Sequence, residues 1–126
     1  MLRFYKSFKF AFAGFICLLK TERNFRIMGY CCLVTLVIGF GLAYFGEHLK
    51  RFEWAFLWLA MGLVFVSEAL NTAFEASLDV LHPEQHPLIG RAKDMAAAGS
   101  LIASTIALIV GAYIFTPHII SIIQGN

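Results

Sequence analysis

The 126-residue chain is 60% hydrophobic and 14% charged, well off the soluble norm of about half apolar and a quarter charged. It is too short to hide that much apolar surface from water, so a single integral membrane domain is the natural reading. A net charge of +2 without a long basic run gives nucleic acid no footing. Cys17, Cys31 and Cys32 are odd in number and lie in apolar surroundings, with no paired framework or CxxC spacing, and read as small reduced hydrophobes.

Residues 1–20 spread Arg3, Lys6, Lys9 and Lys20 along their length and end in no small-x-small cleavage site, which argues against a signal peptide. Arg3, Lys6 and Lys9 recur at helical spacing, and Phe4, Phe8, Phe12, Phe15 and Leu19 take another side. That pattern predicts an amphipathic helix lying in the bilayer interface, aromatics down and cations toward the headgroups. A polar hinge over 21–26 follows, in which Glu22 sits near a helix N-terminus, where a carboxylate is favoured.

Three transmembrane helices are expected next, at about 27–46, 54–78 and 92–116. The first has no charge from Ile27 to Phe45, and Gly29, Gly39 and Gly41 would let neighbouring helices approach. A polar loop over 47–53 leads to Trp54 and Trp58, placed for an aromatic belt. The second helix overhangs the hydrocarbon. His82-Pro83-Glu84-Gln85-His86-Pro87 breaks it and forms a loop. The third is lined by Ala96, Ala97, Ala98, Gly99 and Ser100, and is expected to end at Pro117. Lys and Arg number six up to Arg26, two in the 47–53 loop and two in 78–93. The positive-inside rule then puts the N-terminus and the second loop in the cytoplasm. Glu22, Glu75, Asp79, Lys93 and Asp94 converge on that face.

The second span carries the unusual chemistry. Glu68, Asn71, Glu75 and Asp79 stand at i, i+3, i+7 and i+11, an arc of roughly 80° on a helix. The preceding run, Trp54 to Val66, holds no acid. An acid at the end of such a run costs on the order of 2.5–3.5 kcal/mol to insert, so a functional use is expected. Acids that merely end a span at headgroup level would account for Asp79 and Glu75, but poorly for Glu68 and Asn71. Clustered carboxylates beside a lysine suit a magnesium ion that itself holds phosphate, with Glu22 and Glu75 as ligands. Lys93 offers a point charge to a polyphosphate. Glu68, two turns deeper, is placed to act as general base toward a lipid hydroxyl. A GxxxxGK[ST] phosphate loop is missing, and Gly90-Arg91-Ala92-Lys93 does not supply one. His82 and His86 are separated by proline and do not suggest zinc, while His48 and His118 fall on the opposite side.

Glu68-Ala69-Leu70-Asn71-Thr72-Ala73-Phe74-Glu75 with Asp79, then Gly90-Arg91-Ala92-Lys93-Asp94-Met95-Ala96-Ala97, resembles the bacterial diacylglycerol kinase family, which includes undecaprenol kinases. The resemblance covers nearly the whole chain, and its paired motifs are specific. It implies an all-α integral membrane protein, with an N-terminal amphipathic surface helix and three transmembrane helices, in the bacterial cytoplasmic membrane. It further implies a homotrimer with shared active sites that passes the γ-phosphate of MgATP to a lipid alcohol. On it, Glu68 would be the catalytic base, and Glu22 and Glu75 the magnesium ligands. Arg3, Glu75, Glu84, Gln85, His86, Lys93 and Asp94 would contact nucleotide. Arg3, Glu68 and Ala97 would contact lipid, with Asn71 and Asp79 in support. Phe10 and Phe12 replace the tyrosine or tryptophan of diacylglycerol enzymes, and Ile27 replaces a polar residue. Glu22-Arg23-Asn24-Phe25-Arg26-Ile27 leans to the polyprenol branch, although Met28 stands where that branch has histidine; Gly90 to Met95 leans to the other. Undecaprenol is expected to be the better substrate. The rival reading is a non-enzymatic small transporter or assembly subunit with an intramembrane acid relay, which needs acids spread through the depth rather than gathered at one face.

Overall fold

A computed structural model describes the backbone of residues 2–84 and 86–125 and the side chains of residues 5–84 and 86–125. Four helices follow one another: α1 (Leu2–Thr21), α2 (Arg23–Leu42), α3 (Arg51–Leu81) and α4 (Pro87–Gln124), with a 3-10 turn (Ala43–Phe45) extending α2. Among the described residues there is no strand. Arg23–Phe45, Arg51–Leu81 and Pro87–Gln124 are each long and apolar enough to cross a membrane. Large apolar side chains such as Leu59, Leu70, Leu108 and Tyr113 face outward along them, as lipid-facing residues do. At 31 and 38 residues, α3 and α4 run about 46 and 57 Å, beyond the ~30 Å of hydrocarbon. Their surplus carries the polar residues around the loop that joins them.

The break between α1 and α2 is local. Glu22 is extended (φ −95°, ψ 115°) and caps α2. Arg26 Nη1 donates to the carbonyls of Leu19 (3.2 Å) and Lys20 (2.9 Å), satisfying acceptors that the end of α1 leaves open. Phe25, only 2% exposed, packs edge-on against Phe15 of α1 (5.6 Å between ring centroids) and Phe65 of α3 (5.0 Å). Three aromatic rings therefore lock the elbow to α3.

At the other end of α2, Gly46 turns the chain at φ +83°, a conformation other residues resist. Gly39 is buried, and a β-carbon there would stand 2.7 Å from the Trp54 ring. Its bare backbone lets α2 and α3 close. Helix α3 starts with the Lys50 amide donating to Glu53 Oε2 (2.6 Å), half of a capping box, so residues 51–53 belong to the helix rather than to the loop. A small core of Leu57, Met61 and Ile114, flanked by Leu36, Trp54 and Val110, joins α2, α3 and α4 at this end.

Helix α4 does not stop before Pro117 but continues to Gln124. Proline removes one backbone donor, a loss that membrane helices tolerate. The turn beyond it is anchored: His118 Nδ1 lies 2.7 Å from Glu47 Oε2, and Nε2 lies 3.4 Å from Glu53 Oε1.

Candidate active site

Along α3 the buried residues are Leu57, Ala60, Met61, Val64 and Glu68. The apolar stripe that packs α3 into the chain thus runs straight into an acid. Glu68 is 4% exposed, and among the described residues it has neither hydrogen-bond nor ion-pair partner. One turn on, Asn71 Nδ2 donates to Glu75 Oε1 (3.3 Å), while Asn71 Oδ1 is buried without a partner among the described residues. A buried polar group without a partner costs on the order of 1–3 kcal/mol. Unpaired polar atoms next to a buried acid mark a place kept for a ligand.

Helix α4 faces this stripe through Lys93, Ala96, Ser100 and Ala103, at i, i+3, i+7 and i+10, each buried or half-buried. Lys93 pairs with Asp79, so the two helices are tied near the loop. Ser100 is 7% exposed, and its hydroxyl has no partner among the described residues. Elsewhere the hydroxyls of Thr35, Ser67, Ser77 and Thr105 fold back onto carbonyls of their own helices. Asp94 and Ala97 are exposed on the flanks of this face.

The loop end holds an open cavity of about 450 Å³ lined by Asp79, His82, Pro83, Glu84, His86, Pro87, Ile89, Gly90 and Lys93. Its volume lies in the range of small-ligand sites. His86 and Pro87 build its floor from the start of α4: His86 is the N-cap, its Nδ1 accepting from the Leu88 amide (3.2 Å), and Pro87 opens the first turn. Of the expected nucleotide contacts, Glu84, His86 and Lys93 line this cavity, while Asp94 is not among its lining residues. Gln85 and the Arg3 side chain lie outside the described residues.

Glu22 reaches α3 by another route. Its Oε1 lies 2.9 Å from the Thr21 hydroxyl. Because α2 and α3 run oppositely and Phe25 sits on Phe65, stepping three residues back from Phe25 and three on from Phe65 brings Glu22 level with Glu68. Glu75 stands about 10 Å further along. Among the described residues no group of three His, Cys, Asp or Glu side chains is gathered to hold a metal. By the helix register alone, this chain's own Glu22 and Glu75 stand apart along α3. Their chemistry still fits a hard cation: both are partly exposed carboxylates, and magnesium asks for only one or two, with water and phosphate oxygens completing its shell.

Composition alone gave no reason to single out Ser100, Phe25 or His118. Ser100 reads as one more small residue, and only its burial without a partner sets it apart. A signal for Phe25 existed in the three-residue spacing from Glu22, but nothing in the sequence says which aromatic it meets.

The sequence matches the family described as "Prokaryotic diacylglycerol kinase" over residues 9–115. It is 36% identical over 117 residues to the undecaprenol kinase of Bacillus subtilis, covering 93% of this chain and 91% of that protein. It is 32% identical over 116 residues to the diacylglycerol kinase of Escherichia coli K12 (92% and 91% covered). With the diacylglycerol kinase of Pseudomonas aeruginosa it shares 31% over 105 residues (83% and 81%).

Proposed function

The chain belongs to the prokaryotic diacylglycerol kinase family and is a membrane lipid kinase, and on that premise we propose which of its residues carry the transfer and which lipid it takes. The acid-relay reading falls away with the family assignment. ATP enters the open cavity beside Asp79 and Lys93, and its triphosphate extends along α3 toward Glu75 and Glu68. Lys93, with Glu84, Gln85, His86, Asp94 and Arg3, holds the nucleotide. Lys93 leaves Asp79 for the phosphates, a stronger partner for a point charge. Glu22 and Glu75 would hold magnesium, which would neutralise charge on the polyphosphate.

Glu68 takes the proton of the lipid hydroxyl. The alcohol oxygen then forms its bond to the γ-phosphorus as the bond to the β–γ bridging oxygen breaks, and ADP leaves with that electron pair. The products are the phosphorylated lipid and ADP, with the proton on Glu68. One observation carries this reading: a carboxylate 4% exposed and without a partner among the described residues, set at the apolar end of a face whose other end opens on a cavity. Such a group is poised for a neutral alcohol arriving from the bilayer.

The assembly is a homotrimer whose sites are shared, in the cytoplasmic membrane, with the N-terminus and active site on the cytoplasmic side. The separation of Glu22 from Glu75 along α3 supports sharing, since a neighbouring subunit's elbow can stand where this chain's own does not. Lys6, Lys9, Lys20, Arg23 and Arg26, gathered in the N-terminal segment, support the orientation.

Undecaprenol is the preferred acceptor. Phe8, Phe10, Phe12, Phe15 and Ile27 present exposed apolar surface around the elbow. A polyprenol has no polar group but its hydroxyl, whereas diacylglycerol would leave ester carbonyls unpaired there. The undecaprenol kinase among its relatives points the same way. The test offers undecaprenol and diacylglycerol together, at equal mole fraction, to the purified protein with labelled ATP in mixed micelles. Faster labelling of diacylglycerol refutes the lipid assignment. Glu68→Gln should lose nearly all transfer to either lipid while keeping its fold, and near-normal turnover in that variant refutes the base.

A further inference from the structure

We infer that Ser100 is a substrate-contacting residue, its hydroxyl donating a hydrogen bond to the oxygen of the acceptor alcohol that Glu68 deprotonates. The inference rests on the kinase reading of Glu68 and adds a residue to it.

The placement follows from the helix hairpin. The Asp79–Lys93 pair fixes α3 against α4. Seven residues inward from that pair, on each helix, stand Thr72 and Ser100, level because both helices rise equally per residue. Asn71 is adjacent to Thr72, and Glu68 lies one turn deeper. Ser100 belongs to the stripe by which α4 packs on α3, since Lys93, Ala96 and Ala103 on the same stripe are also buried or half-buried. Its hydroxyl therefore turns into the α3–α4 interface, toward the level of Asn71 and Glu68.

Counting donors and acceptors identifies the missing partner. Three groups near this level lack partners among the described residues: the carboxylate of Glu68, a residue 4% exposed, and the buried atoms Asn71 Oδ1 and Ser100 Oγ. The first two accept only, and Ser100 is the one donor of the three. The Asn71 amide nitrogen is already engaged with Glu75. Ser100 Oγ and Asn71 Oδ1 both lack partners, so they do not satisfy one another. A molecule that brings one O–H for Glu68 and one lone pair for Ser100 satisfies two of the three, with Asn71 Oδ1 left for a separate donor, and a lipid alcohol is such a molecule. Serine in a helix normally has an alternative, the carbonyl of the preceding turn, and Ser67 and Ser77 take it. Ser100 does not.

In the reaction, one lone pair of the alcohol oxygen attacks phosphorus while another accepts from Ser100. As the O–H proton passes to Glu68, negative charge grows on that oxygen and the Ser100 bond strengthens, so the contact favours the transition state over the bound substrate. Its loss should fall mainly on kcat for the lipid.

The experiment compares wild type, Ser100→Ala and Ser100→Thr as full-length protein in mixed micelles, measuring kcat and KM for undecaprenol and for diacylglycerol, and KM for ATP. Ser100→Ala should lose about 10- to 100-fold in kcat on the preferred lipid, the range for one bond to a developing charge, with KM for ATP changed less than about twofold. Ser100→Thr keeps a hydroxyl and should recover to within about threefold of wild type. Unchanged kcat in Ser100→Ala overturns the inference, as does equal loss in both variants or a loss that follows ATP rather than lipid. If Ser100→Ala does not fold, Ser100→Cys replaces it, with similar volume and a weak donor, and must show the same kcat loss. Glu68→Gln run alongside separates the two claims. An active Glu68→Gln sinks the base assignment, whereas an inactive one beside a fully active Ser100→Ala sinks only the role of Ser100.

Discussion

Replacing Phe25 by alanine tests whether the aromatic lock at the elbow positions the site. The ring is 2% exposed and meets Phe15 at 5.6 Å and Phe65 at 5.0 Å, edge-on in both cases. Each such pair contributes roughly 0.5–1.5 kcal/mol beyond simple burial, so the two together give about 1–3 kcal/mol. In lipid the transfer contribution is reduced, because a freed ring still has apolar surroundings, and the aromatic pairs become the larger part of the effect. A loss of that size multiplies the population of undocked elbow by about 5- to 150-fold. The elbow carries Glu22, and Phe65 stands one turn from Glu68 on α3, so undocking separates Glu22 from the level of Glu68. The expected readout is a higher magnesium concentration for half-maximal activity and faster loss of activity on heating in micelles. Phe25→Leu, which refills most of the volume without the ring edges, should lie between alanine and wild type. A Phe25→Ala protein with wild-type magnesium response and heat resistance refutes the idea that this contact positions the site.

Glu22→Ala and Glu75→Ala should each weaken magnesium-dependent activity, and the double variant should be little worse than either, because ligands of one ion act as a unit; multiplying effects in a magnesium titration would count against a common ion. On the proposed trimer, mixtures of Glu68→Gln and Lys93→Ala subunits should regain part of the activity that each parent lacks, and mixtures as inactive as the parents would place both groups in one subunit's site. At the far end, hydrogen bonds from Ser121 and then His118 hold the Glu47 carboxyl below its ordinary range. A depressed carboxylate stabilises above its unfolded pKa, and that contribution disappears as pH falls through the folded value. Heat resistance of wild type should therefore exceed that of Glu47→Gln at neutral pH, with the gap closing below about pH 4; a gap that persists in acid refutes the clamp.

Much of the architecture is written in spacing. A chain so apolar, with cations gathered up to Arg26, settles as helices across a bilayer, because its charge-free runs have the length of a helical span rather than of a barrel strand and a helix bonds its backbone within its own segment. Glu68, Asn71, Glu75 and Asp79 share one face because 3.6-residue periodicity leaves no other arrangement, and the acid at the end of an apolar run announces itself by its insertion cost. What periodicity cannot give is the rotation and register of one helix on another. The pairing of Lys93 with Asp79, the burial of Ser100, the packing of Phe25 on Phe65 and the contact of His118 with Glu47 and Glu53 all depend on residues far apart in sequence. Each depends on which ridges interlock and where a bare Gly39 lets Trp54 close on α2. Pro117 shows the limit from the other side. Locally it ends a helix, but at the end of α4 one lost backbone bond is outweighed by the anchoring of the turn beyond it, and that anchor, His118, finds its partners only once the helices have packed.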